Sequence, residues 1–175
     1  MPVHQGIACA YAFPEAEVTL ADISVDALLI ANKNILTHQL PNRVFAHGSD
    51  LFDQLEGLYD IIVTNPPYVD QVDISTMPPE YQHEPLMALA SGSLGLDHPI
   101  KILREAGRFL AEDGILVLEV GNSGQHLETL YPGVEFNWIE FERGGHGVLV
   151  ISKAELEYYA EQLALNPEEE MDDDF

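Results

Sequence analysis

The segment of this chain whose residue types and spacing most directly suggest a reaction is Asn65-Pro66-Pro67-Tyr68. It leaves the apolar run Tyr59-Asp60-Ile61-Ile62-Val63-Thr64, which reads as a buried strand. A planar NH2 nitrogen, in an amide or an adenine, is a poor nucleophile because its lone pair is delocalised. Two acceptors bonded to the NH2 hydrogens hold that nitrogen toward an electrophilic methyl and stabilise the positive charge developing on it. The Asn65 side-chain oxygen and the Pro66 carbonyl are the candidates. Pro66 and Pro67 fix φ and carry no competing N–H. Tyr68 offers a ring face on which the planar group can stack. No separate general base is required if the proton leaves after methyl transfer.

Ligands in open α/β sheets sit beyond the carboxyl ends of the strands. Three expected strands end in polar or special residues: Asp22, the Gly48-Ser49-Asp50 turn, and Asn65. An acid ending a strand can accept two hydrogen bonds from ribose hydroxyls. Asp22 could equally start the Asp22-Ile23-Ser24 turn into the following helix; Asn65 nearby in the order of elements tips the reading toward the ribose.

The elements that position these residues alternate between strand and helix, which argues for an α/β sheet. Residues 6–13 read as a short helix ending before Pro14, and Glu17 to Asp22 as a strand. Ser24 caps a helix to about His38, with Ala27, Leu28, Ala31, Ile35 and Leu36 at helical spacing. Arg43 to His47 and Asp60 to Thr64 are strands. The Pro-bearing segment 66–94 exceeds ordinary loop lengths, as functional loops do. Residues 97–111 read as helix, Asp113-Gly114 as a turn, Gly114 to Val120 as a strand, and Asn122 to Leu130 as helix. Val134 to Phe141 and Gly147 to Ser152 form a hairpin around Gly144-Gly145-His146-Gly147, itself read as a turn. Glu155, Glu157 and Glu161 fall on the solvated face of a terminal helix.

Composition sets the outer limits. A chain of 175 residues with 46% apolar content fits one domain over residues 1–165. Residues 166–175, with Glu168-Glu169-Glu170 and Asp172-Asp173-Asp174, form an acidic tail expected to be disordered. The formal charge of −23 opposes unaided binding to nucleic acid and suits a basic protein partner. No membrane-spanning run or signal peptide is legible. One cysteine, Cys9, fits a reducing cytoplasm and reads as buried packing. The seven histidines show no metal-ligand spacing, so no metal is expected.

Beyond the tetrapeptide, the chain resembles the protein-(glutamine-N(5)) methyltransferases of the HemK/PrmB group. The resemblance runs in order through Ala21-Asp22-Ile23-Ser24, Ser49-Asp50-Leu51-Phe52, Asn65-Pro66-Pro67-Tyr68, Tyr81-Gln82-His83-Glu84-Pro85, Glu119-Val120-Gly121-Asn122-Ser123 and Glu140-Phe141-Glu142-Arg143-Gly144-Gly145. It covers about residues 6–160 and looks most like the branch acting on large-subunit ribosomal protein L three. It implies a class I, Rossmann-like α/β sheet ending in an antiparallel hairpin, S-adenosyl-L-methionine as donor, and a glutamine side chain as acceptor. It further implies that Asp22 binds the ribose, Asp50 and Leu51 flank the adenine, Asn65 contacts donor and substrate, and Pro66, Pro67 and Tyr68 hold the amide. Glu84 and Pro85 would shape the substrate loop.

The chain departs from that pattern at its start. Such an acid normally follows a glycine-rich loop by about twenty residues. Only Gly6 lies there, so the first strand and its glycine loop are expected to be lacking. Their loss should expose the edges of two neighbouring strands, through which copies could pair, and should weaken donor binding. Two other readings compete with the glutamine methyltransferase. One is an adenine-amino nucleic-acid methyltransferase, which the charge disfavours. The other is a catalytically dead fragment serving as a binding module.

Overall fold

The computed structural model describes residues 3–66, 95–142 and 144–165. They divide into two compact units, residues 1–57 and 58–175, each taken by itself below.

The first unit is a helix followed by a parallel β-α-β motif. Helix α1 spans Val3–Ala12. Strand β1 (Val18–Asp22) and strand β2 (Val44–Gly48) pair in parallel from Val18↔Val44 to Asp22↔Gly48. A parallel pair needs a crossover, and helix α2 (Val25–Thr37) supplies it. Ser24 starts that helix as its side-chain oxygen accepts from the Ala27 N–H at 3.3 Å. Ile7, Ala10, Leu20, Ala31, Ile35, Leu40 and Val44 form the core.

Two features of this unit were not foreseen. Gly6 is a packing glycine: a Cβ there would stand 1.8 Å from Leu20 Cδ2, so its bare backbone lets α1 lie close to β1. Arg43 grips the end of α1, donating to the carbonyls of Ala10 at 2.6 Å, Ala16 at 3.2 Å and Phe13 at 3.3 Å. A cation there satisfies carbonyls that no further helical turn can reach. Leu36, expected on the core face, is 67% exposed because Ile35 and Leu40 already fill the space beneath α2. Cys9 is half-buried rather than buried.

The second unit carries a mixed sheet of four strands. Its order is β3 (Tyr59–Thr64), β4 (Leu110–Glu119), β6 (Val148–Ser152), β5 (Asn137–Trp138). β3 and β4 are parallel; β4–β6 and β6–β5 are antiparallel. The expected closing hairpin is therefore present, although its first arm is only two residues long. Helix α3 (Asp97–Glu105) continues as a 3-10 turn at Ala106–Arg108, and β4 begins at Leu110. The sequence predicts helix to 111 and a strand from Gly114. The discrepancy has a local cause: the pairing jumps from Tyr59↔Leu110 to Ile61↔Ile115, a bulge that absorbs Asp113-Gly114 inside the strand.

The 3-10 turn Gly121–Ser123 and helix α4 (Gly124–Leu130) follow β4. Helices α5 (Lys153–Tyr158) and α6 (Ala160–Ala164) follow β6. Leu116 and Leu118 on β4, and Leu149 and Ile151 on β6, alternate into a core shared with Ile102, Leu103, Leu156 and Leu163. Among the described residues, β1 pairs only with β2 and β3 only with β4, so each has one unpaired edge. No helix among the described residues is long and apolar enough to cross a membrane.

Candidate active site

In the first unit, the expected donor-binding residues meet at the carboxyl end of the parallel pair. Asp22 ends β1 and the Ser49 N–H donates to its backbone carbonyl at 3.1 Å, which brings the loop after β2 beside the carboxylate. Asp22 is half-buried, and its Oδ1 accepts from the Ser24 N–H at 2.9 Å. The turn role weighed for Asp22 is thus real and coexists with a place at the strand end. Asp50 is exposed. Leu51 is half-buried at φ +49°, a left-handed conformation that side chains with a Cβ rarely adopt.

What holds Leu51 there is Ser49. Its hydroxyl, 4% exposed at the residue level, donates to the Leu51 carbonyl at 2.9 Å and accepts from the Gln54 N–H at 3.1 Å. Gln54 answers with its side-chain oxygen on the Asp50 N–H at 3.1 Å. The sequence places Ser49 in a turn and in the Ser49-Asp50-Leu51-Phe52 segment without showing this role, and it gives Gln54 none. A serine and a glutamine five positions apart, around a segment with no glycine, were the available signal. The strand-end acid Asp22 and the loop that carries Leu51 thus share one end of the parallel pair.

The second unit positions the methylation loop. Thr64 pairs with Leu118, so Asn65 lies level with Glu119 and Pro66 with Val120 where β3 and β4 end together. Asn65 is half-buried and Pro66 buried. Pro67 and Tyr68 lie outside the described residues, as do the Tyr81-to-Pro85 segment and the acidic tail. Asp22, Asp50 and Leu51 belong to one unit, and Asn65 and Pro66 to the other.

Beside Asn65, the turn after β4 and the loop before β6 are locked together. Val120 N–H donates to the Gly147 carbonyl at 2.7 Å, and His146 Nε2 lies 2.7 Å from Asn122 Oδ1. Gly147 has φ +73°, and a Cβ on it would fall 2.1 Å from the Gly121 oxygen, so the two backbones touch where only glycine fits. Among the described residues, no group of three His, Cys, Asp or Glu could hold a metal ion.

Residues 5–80 match the methyltransferase small domain family. The chain is 50% identical over 155 residues to the ribosomal protein uL3 glutamine methyltransferase of Francisella tularensis subsp. tularensis (strain SCHU S4), covering 88% of this chain and 49% of that protein. It is 41% identical over 150 residues to the protein of the same name from Neisseria gonorrhoeae (strain ATCC 700825), covering 86% and 50%. The chain spans about half the length of these curated relatives. A methyltransferase crystal structure from Pyrococcus furiosus superposes with a TM-score of 0.60 at 21% identity, covering 84% of this chain and 68% of that one. The chain therefore has the Rossmann-like fold of class I methyltransferases and is homologous, over most of its length, to the uL3 glutamine methyltransferases.

Proposed function

We propose that this protein transfers a methyl group from S-adenosyl-methionine to the side-chain amide nitrogen of a glutamine in the large-subunit ribosomal protein uL3. The observation that carries the reading is Asn65-Pro66 at the shared end of β3 and β4, in a chain 50% and 41% identical over most of its length to two proteins named for that reaction. The donor supplies a methyl carbon bonded to a positively charged sulfur. Asn65 Oδ1 and the Pro66 carbonyl accept from the two amide hydrogens and hold the nitrogen in line with that carbon. For Pro67 and Tyr68 the roles rest on residue type alone: a proline carries no competing N–H, and a tyrosine ring offers a face for the amide plane. Asp22 takes the ribose hydroxyls, with Asp50 and Leu51 at the adenine. The proton leaves the nitrogen after transfer.

A formal charge of −23 supports a basic protein acceptor over a nucleic-acid adenine, whose phosphates it repels. A ribosomal acceptor and a single cysteine fit a cytoplasmic location.

The test is transfer of labelled methyl onto uL3. It is run with this chain and with a fusion that joins it to the part of the Francisella relative it does not match. Transfer by either form, reduced about a hundredfold or more in Asn65→Ala, is expected. Undiminished transfer by Asn65→Ala, or none by both wild-type forms, contradicts the proposal.

A further inference from the structure

The Gly144-Gly145-His146-Gly147 segment looks in sequence like a turn and nothing more. Three observations give it a place near the reaction. First, it is pinned at a defined height: Gly147 closes on Val120 and Gly121, and φ values of +83°, +112° and +73° at Gly144, Gly145 and Gly147 set its course. Second, β3, β4 and β6 are consecutive strands of one sheet. Glu119 pairs with Val148, so Gly121 is level with His146, at the edge where Pro66 is level with Val120. Strands lie about 4.8 Å apart, which puts the His146 backbone roughly 10 Å from the Asn65-Pro66 backbone.

Third, the pair is exposed and half-used. His146 and Asn122 are both exposed, and each has one polar atom committed to the other. With Asn122 Oδ1 accepting, His146 Nε2 is the donor. In the neutral imidazole Nδ1 of His146 is then an acceptor, and the Asn122 amide nitrogen carries two donor hydrogens. No further hydrogen bond engages either side chain among the described residues. One acceptor beside one donor is the complement of a peptide backbone, which offers an N–H and a carbonyl at each residue.

We propose that His146 and Asn122 form a second binding station for the acceptor polypeptide, taking main-chain groups about three residues from the glutamine held at Asn65. The interval follows from the roughly 10 Å separation and a rise of about 3.3 Å per extended residue. The station rests on the methyl-transfer reading, because the glutamine at Asn65 sets its origin. It adds a requirement that the glutamine sit in an extended segment, which would separate a polypeptide acceptor from a free amide.

The test is equilibrium binding of unmethylated uL3 to this chain, wild type against His146→Gln and Asn122→Ala. The station predicts five- to tenfold weaker binding for Asn122→Ala, and a smaller loss for His146→Gln, whose amide can still accept. Unchanged binding in both variants overturns the station while leaving methyl transfer, judged by Asn65→Ala, untouched. No binding by the wild-type chain overturns the station as well. A photoreactive residue in place of His146 gives an independent reading. Crosslinks within about four residues of the methylated glutamine support the station; crosslinks elsewhere, or none, contradict it.

Discussion

The Ser49 hydroxyl donates to the Leu51 carbonyl at 2.9 Å and so holds a leucine in a left-handed conformation at the end of β2. Such a φ costs about 1–2 kcal/mol without glycine. The cost persists because the same oxygen also takes the Gln54 N–H, closing the loop from both sides. Ser49→Ala removes both bonds from a buried position. The expected loss is about 1–3 kcal/mol, read as a lower urea midpoint for residues 1–57 by hydrogen exchange. An unchanged midpoint would mean that Leu51 holds its conformation without Ser49.

Gly147→Ala tests the other lock. The added methyl meets the Gly121 carbonyl at a distance no Cβ tolerates, and the backbone is already at φ +73°. The expected cost is about 3 kcal/mol or more. Trp138, the single tryptophan, lies on β5 in the same sheet, so its fluorescence follows the unfolding of that unit. Gly144→Ala serves as the control: its φ of +83° brings strain, but an added Cβ there meets nothing within 4 Å, so its loss should be smaller.

The strand ends were legible because they announce themselves locally. Asp22 and Asn65 each follow an apolar run, and the structure puts both at strand termini. Ser24 was legible as a cap for the same reason. The features that escaped depend on contacts between distant segments. Arg43 reaches Ala10 of α1 across 33 positions, and His146 reaches Asn122 across 24. Gly6, which stands in sequence only as the one glycine where a glycine-rich loop is expected, is the point where α1 touches Leu20. Glu155 looked like one of three solvated acids. It proves to be the third residue of a capping box, because Ser152 ends β6 directly against α5.

That capping box gives a pH dependence with a definite sign. The Glu155 carboxylate is held below the ordinary glutamate range, chiefly by the Ser152 N–H and then by the Ser152 hydroxyl; partial burial opposes them, and Asn137 adds a smaller pull. A carboxyl lowered in the folded state stabilises above its unfolded pKa and loses that contribution as pH falls through the folded value. Glu155→Gln is therefore expected to be less stable than wild type at neutral pH, with the gap closing as pH falls through and below the glutamate range. Ser152→Ala should cost about 1 kcal/mol at neutral pH. Thermal melts of the three proteins across that range check both statements, and a gap that widens on acidification would contradict the assignment.

The central claim is that Asn65-Pro66-Pro67-Tyr68 directs methyl transfer to a glutamine amide nitrogen. Its most direct test is mass-spectrometric localisation of the methyl group after incubating unmethylated ribosomes with labelled S-adenosyl-methionine and this protein, alone and in the fused form. The expected result is one added methyl on the side-chain nitrogen of a single uL3 glutamine, absent with Asn65→Ala. Label on an adenine of ribosomal RNA, on another protein, or on uL3 regardless of Asn65 would contradict it.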